Sequence, residues 1–154
     1  SFGDAMARLK EYGLGRTIYD VVDKGIPFLG ICLGLQLLYE SSDESPDASG
    51  LGILKGRILR IPNAPGLKIP HMGWNSLELM NDGRLLKGID NGSYVYFVHS
   101  YYLKAEDEGI VRAVTEYNTR IHACVEKDNV FACQFHPEKS SETGLTILEN
   151  FINV

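Results

Sequence analysis

Along this chain the spacing of apolar residues alternates between helical and strand periods. Met6, Leu9 and Tyr12 recur at helical intervals behind Asp4, the expected N-cap, and Gly13 breaks the run. Ile18, Val21 and Val22 share one side of a second predicted helix, Thr17 to Lys24, which Gly25 stops. Ile26 to Ile31 is a short apolar run suited to a buried parallel strand. It leads into a predicted helix from Leu33 to Glu40 whose apolar positions are Leu35, Leu37, Leu38 and Tyr39. Ser41 to Gly50 reads as a polar loop, and Leu54 to Ile61 alternates as a strand. Pro62, Pro65 and Pro70 mark a turn-rich connection that takes in Gly73 and Trp74. Tyr94 to Val98 and Ile110 to Val114 are predicted strands. Ile121 to Val125 and Val130 to Phe135 flank Asp128-Asn129 as a hairpin, and Thr143 to Asn153 closes the chain as a helix. The layout is α/β with a mixed sheet in one domain, without repeats or an internal linker.

Composition narrows this only slightly. The 154 residues suffice for one substantial core, and 44% apolar with 23% charged residues is ordinary for a soluble domain. A net charge of −5 argues against a nucleic-acid footprint, and no apolar run approaches a membrane span. The cysteines Cys32, Cys124 and Cys133 are odd in number and widely spaced, which suits a reducing, cytoplasmic compartment better than a disulfide framework. The chain opens Ser1-Phe2-Gly3-Asp4 directly into a helix and without an initiator Met. An α/β domain seldom starts that way, so a preceding segment is expected.

Gly30-Ile31-Cys32-Leu33-Gly34 joins the predicted strand directly to the predicted helix. A nucleophile raised on such a turn sits in a strained backbone conformation that small neighbours two residues away relieve, the logic of the G-x-S-x-G elbow with sulfur replacing oxygen. The turn also sets Cys32 at a helix N-terminus, which favours thiolate, and leaves the Leu33 amide free to donate to an oxyanion. The competing reading makes Cys32 a small buried core residue.

Gln134-Phe135-His136-Pro137-Glu138-Lys139-Ser140 follows the last predicted strand. His136 leaves its carboxyl end, where α/β sheets carry their sites. Glu138 can turn back to accept from the imidazole, selecting its tautomer and stabilising imidazolium. His-x-Glu alone is equally a surface histidine beside a solvated acid. Cys32 and His136 at carboxyl ends of strands are expected to share one cleft.

The segments Gly30 to Gln36 (GICLGLQ) and Gln134 to Ser140 (QFHPEKS) together resemble the class I, triad-type glutamine amidotransferases. Pro70 to Asn75 (PHMGWN) and Tyr96 to Tyr101 (YFVHSY) resemble the glutaminase subunits of imidazole glycerol phosphate synthases. The match runs the length of the chain. The resemblance implies a flavodoxin-like three-layer fold and hydrolysis of glutamine to glutamate and ammonia, without metal or cofactor. The ammonia would pass to a (β/α)₈-barrel cyclase subunit of histidine biosynthesis, which joins it to its nucleotide substrate and makes imidazole glycerol phosphate. It implies Cys32 as nucleophile, His136 as base, Glu138 as its partner and Leu33 as an oxyanion donor. Gln36 and Glu44 match residues that hold substrate glutamine, Ser100 and Tyr101 match backbone that grips its amino-acid end, and Trp74 and Lys139 match positions facing the partner. A glycine-rich turn with a second oxyanion donor, and the strand before it, are expected just ahead of Ser1.

Alternatives remain on the sequence. The glutaminase of an anthranilate or aminodeoxychorismate synthase shares the triad but is not expected to carry His-Met-Gly-Trp-Asn. A cysteine peptidase on a similar fold would have no use for Gln36, and a silent binding module none for an intact Cys, His and Glu. Cys124, Cys133 and His122 lack metal-site spacing and read as core residues. His71 is a candidate structural histidine, and His99 either that or a substrate contact. Trp74 is read either as a core residue or as an interface anchor.

Overall fold

The computed structural model describes all 154 residues. Helix α1 spans Phe2–Glu11 and α2 spans Leu14–Asp23. Strand β1 (Phe28–Ile31) runs through Cys32 into the short helix α3 (Leu33–Leu37). Then come β2 (Ser41–Ser42), β3 (Gly56–Arg60), β4 (His71–Ser76), β5 (Glu78–Leu79), β6 (Tyr94–His99) and β7 (Tyr101–Ala105). The chain closes with β8 (Val111–Glu116), β9 (Arg120–Lys127), β10 (Val130–Cys133), a 3₁₀ turn over Pro137–Lys139 and α4 (Ser141–Ile152).

Five strands form the main sheet in the order β1-β10-β9-β8-β5, with β1 and β10 parallel and the other pairs antiparallel. Alternation along β10 builds the layers. Val130 and Ala132 face one cluster with Leu35, Leu38, Ile58 and Leu103, against which α1 and α2 lay Met6, Leu9, Ile18 and Val22. Phe131 and Cys133 face the opposite cluster, with Val95, Phe97, Phe135 and Ile147 of α4. Helices therefore cover both faces, the three-layer α/β arrangement with a mixed sheet that the resemblance implies. The small sheet β2-β3-β7 joins the first layer, and the ribbon β4-β6 backs the second.

Several boundaries differ from the sequence reading. Ser1, not Asp4, caps α1, accepting from the Asp4 amide, and α2 begins at Leu14 rather than Thr17. Helix α3 stops at Leu37, three residues short of Glu40, because the returning chain takes its last carbonyls. Leu51 and Leu54 donate to Leu37 and Leu38, and Gly52 donates to Tyr39. The Ser41–Gly50 loop contains β2, paired with β3. Trp74 lies on β4, not in a turn, and β5 and β7 were not anticipated. The hairpin at Asp128-Asn129 stands as read, with Lys127 opposite Val130 and Asp128 at φ 54°.

The ribbon β4-β6 turns polar side chains inward. His71 and His99 sit opposite one another, both buried, with Nδ1 of His71 3.0 Å from Nε2 of His99. Nδ1 of His99 lies 2.8 Å from the Tyr101 carbonyl, which can only accept, so Nδ1 carries the proton. Nε2 of His99 therefore accepts from His71, and Nε2 of His71, 3.3 Å from the Asn75 amide, accepts in turn. His71 is stacked between Phe97 and Tyr117. Every ring nitrogen is satisfied only while both rings are neutral. Burial lowers His71 to about 4, with the neighbouring His99 adding to it. Burial also lowers His99 to about 4, outweighing its bond to the Tyr101 carbonyl.

Groups whose folded pKa lies below the unfolded value of about 6.5 stabilise the fold above that value and lose the contribution as pH falls toward 4. Urea unfolding should show the pair losing on the order of 2–4 kcal/mol between about pH 7 and pH 5. In His71→Asn the slope over that window should fall by roughly half. A wild-type midpoint that stays level across it would exclude a neutral, proton-excluding pair.

Candidate active site

The geometry of the β1–α3 junction follows from one close approach. Cys32 takes φ 53° and ψ −108°, a positive-φ conformation that a side chain rarely adopts. Its amide donates to the Cys133 carbonyl at 2.8 Å, and its carbonyl accepts from Leu35 and Gln36 at 3.1 and 3.3 Å. A Cβ on Gly30 would stand 2.8 Å from the Gly34 carbonyl oxygen, whereas a Cβ on Gly34 would meet nothing within 4 Å. The elbow thus needs Gly30 as the missing side chain and Gly34 as the backbone that moves into its place. The two glycines of the motif are therefore not equivalent.

The thiol lies in a cleft of about 260 Å³ whose lining includes Ser1, Leu33, Gln36, Glu44, His99, Ser100 and Tyr101. Sγ is 3.8 Å from the Val98 carbonyl, to which the thiol can donate, and 3.6 Å from the Gln134 amide nitrogen, which donates to it. Burial raises the Cys32 thiol pKa. Bonds from the Leu33 backbone amide and the Gln134 side chain work the other way, and nearby Glu138 and Lys139 push it up and down respectively. The Leu33 amide at the start of α3 favours thiolate, as the sequence implies, and burial opposes it more strongly.

Strand β10 carries the second half. Its parallel pairing with β1 sets Ile31 beside Cys133, and the chain continues through Gln134 and Phe135 to His136. The His136 amide donates to the Tyr96 carbonyl at 2.9 Å, and its Nδ1 lies 2.6 Å from Oε1 of Glu138. The carboxylate accepts, so Nδ1 keeps its proton and Nε2 is left as the basic nitrogen. Ser140, buried and unremarked in the sequence, holds this turn: its hydroxyl accepts from the Tyr96 amide at 2.9 Å and donates to the His136 carbonyl at 2.7 Å. Gly144 lets α4 close on the Pro137 carbonyl, which a Cβ there would strike.

The other candidate residues divide in two. Gln36, Glu44, Ser100 and Tyr101 all line the cleft. Glu44 is also structural, since its Oε1 accepts from the Phe2 amide at 2.6 Å while the Ser45 hydroxyl accepts from Gly3, so the acidic loop pins the start of α1. Gln36 is buried, and its amide nitrogen serves both the Tyr101 carbonyl and the Gln134 side chain. His99 lines the cleft with both ring nitrogens engaged, which is the structural alternative for that residue. Trp74 is half exposed on the outer face of the ribbon, packed edge-on against Tyr96 at 6.0 Å, and Nζ of Lys139 lies 5.9 Å from the Tyr96 ring centre. The two candidate interface residues thus share Tyr96, whose backbone carbonyl holds His136. His122 accepts from the Ala105 amide, and Cys124 and Cys133 are fully buried among apolar side chains. A larger cleft, about 490 Å³ between Glu40, Arg57 and Lys104, contains none of Cys32, His136 and Glu138.

Gly30→Ala should destabilise the protein by about 1–3 kcal/mol and slow alkylation of Cys32. Gly34→Ala should change stability by less than about 1 kcal/mol. Equal costs in denaturant unfolding would contradict this account of the elbow.

The family model for class-I glutamine amidotransferases matches residues 11–154. The imidazole glycerol phosphate synthase subunit HisH of Caldanaerobacter subterraneus is 54% identical over 98% of this chain and 73% of its own length. That of Methanocaldococcus jannaschii is 49% identical over 100% of this chain and 76% of its own. Among solved structures, a glutamine amidotransferase superposes with a TM-score of 0.66 at 24% identity, covering 93% of this chain and 70% of that one. Another, from Thermotoga maritima, does so with a TM-score of 0.65 at 21% identity, covering 97% and 56%. With a family model over most of its length and relatives about half identical along nearly all of it, the chain belongs to the class I glutamine amidotransferase family, among its imidazole glycerol phosphate synthase subunits.

Proposed function

We propose that this protein hydrolyses glutamine through Cys32, His136 and Glu138 and supplies the ammonia to a cyclase subunit that makes imidazole glycerol phosphate in histidine biosynthesis. The observation that carries the reading is the parallel pairing of β1 with β10, which puts a positive-φ cysteine at the end of one strand and a carboxylate-bound histidine three residues past the same end of its neighbour.

In this mechanism Nε2 of His136 takes the proton from Sγ of Cys32, and the thiolate attacks the side-chain amide carbon of glutamine. The tetrahedral oxyanion accepts from the Leu33 amide. As the C–N bond breaks, His136 returns its proton to the nitrogen and ammonia leaves, with a γ-glutamyl thioester on Cys32. Water, deprotonated by His136, then attacks the thioester, and glutamate leaves as the Cys32 thiol is restored. Glu138 stays ionised and stabilises the imidazolium of each half-reaction. Gln36, Glu44, Ser100 and Tyr101, which line the cleft around Cys32, border the substrate.

The cyclase, expected to be a (β/α)₈ barrel, docks on the outer face of β4-β6. Met72, Trp74 and Tyr94 are exposed there, and Lys139 reaches the same patch from the turn behind His136. That face touches the backbone carrying His136, so a partner bound to it acts directly on the site. Three free thiols and no helix long and apolar enough to cross a membrane accord with a cytoplasmic enzyme.

Ammonia release from glutamine should rise strongly when the cyclase and its nucleotide are added, and fall at least about 10³-fold in Cys32→Ala. Trp74→Ala should weaken the stimulation by the cyclase about tenfold or more. Turnover retained without the Cys32 thiol would reject the mechanism, and indifference to the cyclase would assign the chain to a different synthase.

A further inference from the structure

Gln134 is fully buried, and the mechanism above leaves it unused. Its backbone amide donates to the Ala123 carbonyl at 2.8 Å, which fixes the residue in the sheet just past β10. Its side chain bridges two partners: Oε1 lies 3.1 Å from the Gln36 amide nitrogen and Nε2 lies 3.6 Å from Sγ of Cys32.

The orientation of this amide is decided by its neighbours. Gln36 Nε2 is 3.1 Å from the Tyr101 carbonyl oxygen, which only accepts, so that end of Gln36 must be the nitrogen. The same nitrogen then faces Gln134, which must present its oxygen. The N–H groups of Gln134 are thereby turned toward the sulfur. Flipping either amide would set like groups against each other in a buried site, at the cost of an unsatisfied polar pair.

We propose that Gln134 is a further catalytic residue of the glutaminase reaction, donating a hydrogen bond to the Cys32 sulfur that stabilises the thiolate formed when the thiol gives up its proton, with Gln36 as the positioning residue that aims the amide. This rests on the reading of Cys32 as nucleophile. A bond to an ionised acceptor is worth more than one to a neutral thiol, so the contact favours the reactive form. It also answers a need of this site, where burial opposes ionisation and few donors reach the sulfur. Gln36 thereby acquires a role beyond contact with substrate, since both its N–H groups are spent inside the protein.

The test is the pH profile of Cys32 alkylation by iodoacetamide, with the modified cysteine identified by peptide mass spectrometry. It is measured on the full-length protein alongside glutaminase turnover. In Gln134→Met the alkylation profile should move to higher pH by about one unit, with the plateau rate unchanged within about twofold. Gln36→Met should give a smaller shift in the same direction. Because a single replacement orphans a buried amide, the double variant Gln36→Leu/Gln134→Leu, which removes both ends of the pair, provides the check if either single variant unfolds. It should show the full shift. A profile for Gln134→Met or the folded double variant that overlays the wild type would overturn the proposal. Failure of the nucleophile reading is separately visible: glutaminase turnover would then survive in Cys32→Ala, whatever the alkylation profiles show.

Discussion

The ladder between β1 and β10 does not end with the last residue of β1. It continues one residue further, where the Cys32 amide donates to the Cys133 carbonyl, and the rest of the site hangs on that extension. Parallel pairing sends both chains out of the sheet at the same end. β1 turns at once into α3, raising Cys32 on a positive-φ residue. β10 continues through Gln134, whose side chain turns to the sulfur, to His136, whose amide is caught by Tyr96. One register thus determines what stands next to the thiol, and a slip of one residue would exchange Cys133 and Ala132 between the two cores and carry Gln134 away from it.

Around this register the structure balances burial against donors. The thiol, the two histidines of the ribbon and the two glutamines all sit where an unpaired polar group is costly, and each is engaged. The Tyr101 carbonyl is the meeting point, accepting from Gln36 on one side and His99 on the other. Polar groups from β4, β6 and α3 are therefore tied through one backbone atom beside the cleft. The outer face of the same ribbon is apolar and exposed, so one two-stranded element presents a surface for docking and an interior that borders the site.

The sequence made the chemistry legible where it is local. Gly-x-Cys-x-Gly points to a strand–turn–helix junction by sterics, and His-x-Glu lets a carboxylate reach a nearby ring, but each kept a bland alternative until the two were read together with the family resemblance. The α/β class with a mixed sheet also emerged from apolar runs and a hairpin marked by Asp128-Asn129, whereas the three layers came from the family resemblance. The ribbon was harder. β4 turns His71 and Asn75 inward where period-2 reasoning expects apolar residues, and Gly73 interrupts the alternation, so Trp74 was assigned to a turn. β7 buries Tyr102 and Leu103 in succession, which hides its period. The Leu33 amide favours thiolate as the turn implied, but the burial that outweighs it is a tertiary effect that no local motif reports. The Gln36–Gln134 bridge and the grip of Glu44 on α1 join residues far apart in sequence, and no spacing rule reports them.

The account's central claim is that this register makes Cys32, and neither of the other two thiols, the atom that attacks glutamine. The most direct measurement is mass spectrometry of the full-length protein after acid quench during turnover with glutamine and the liganded cyclase. The account predicts a γ-glutamyl thioester on the peptide bearing Cys32 and none on those bearing Cys124 or Cys133. Steady turnover with the acyl group on another residue, or with Cys32 unmodified under conditions that trap a thioester, would contradict it.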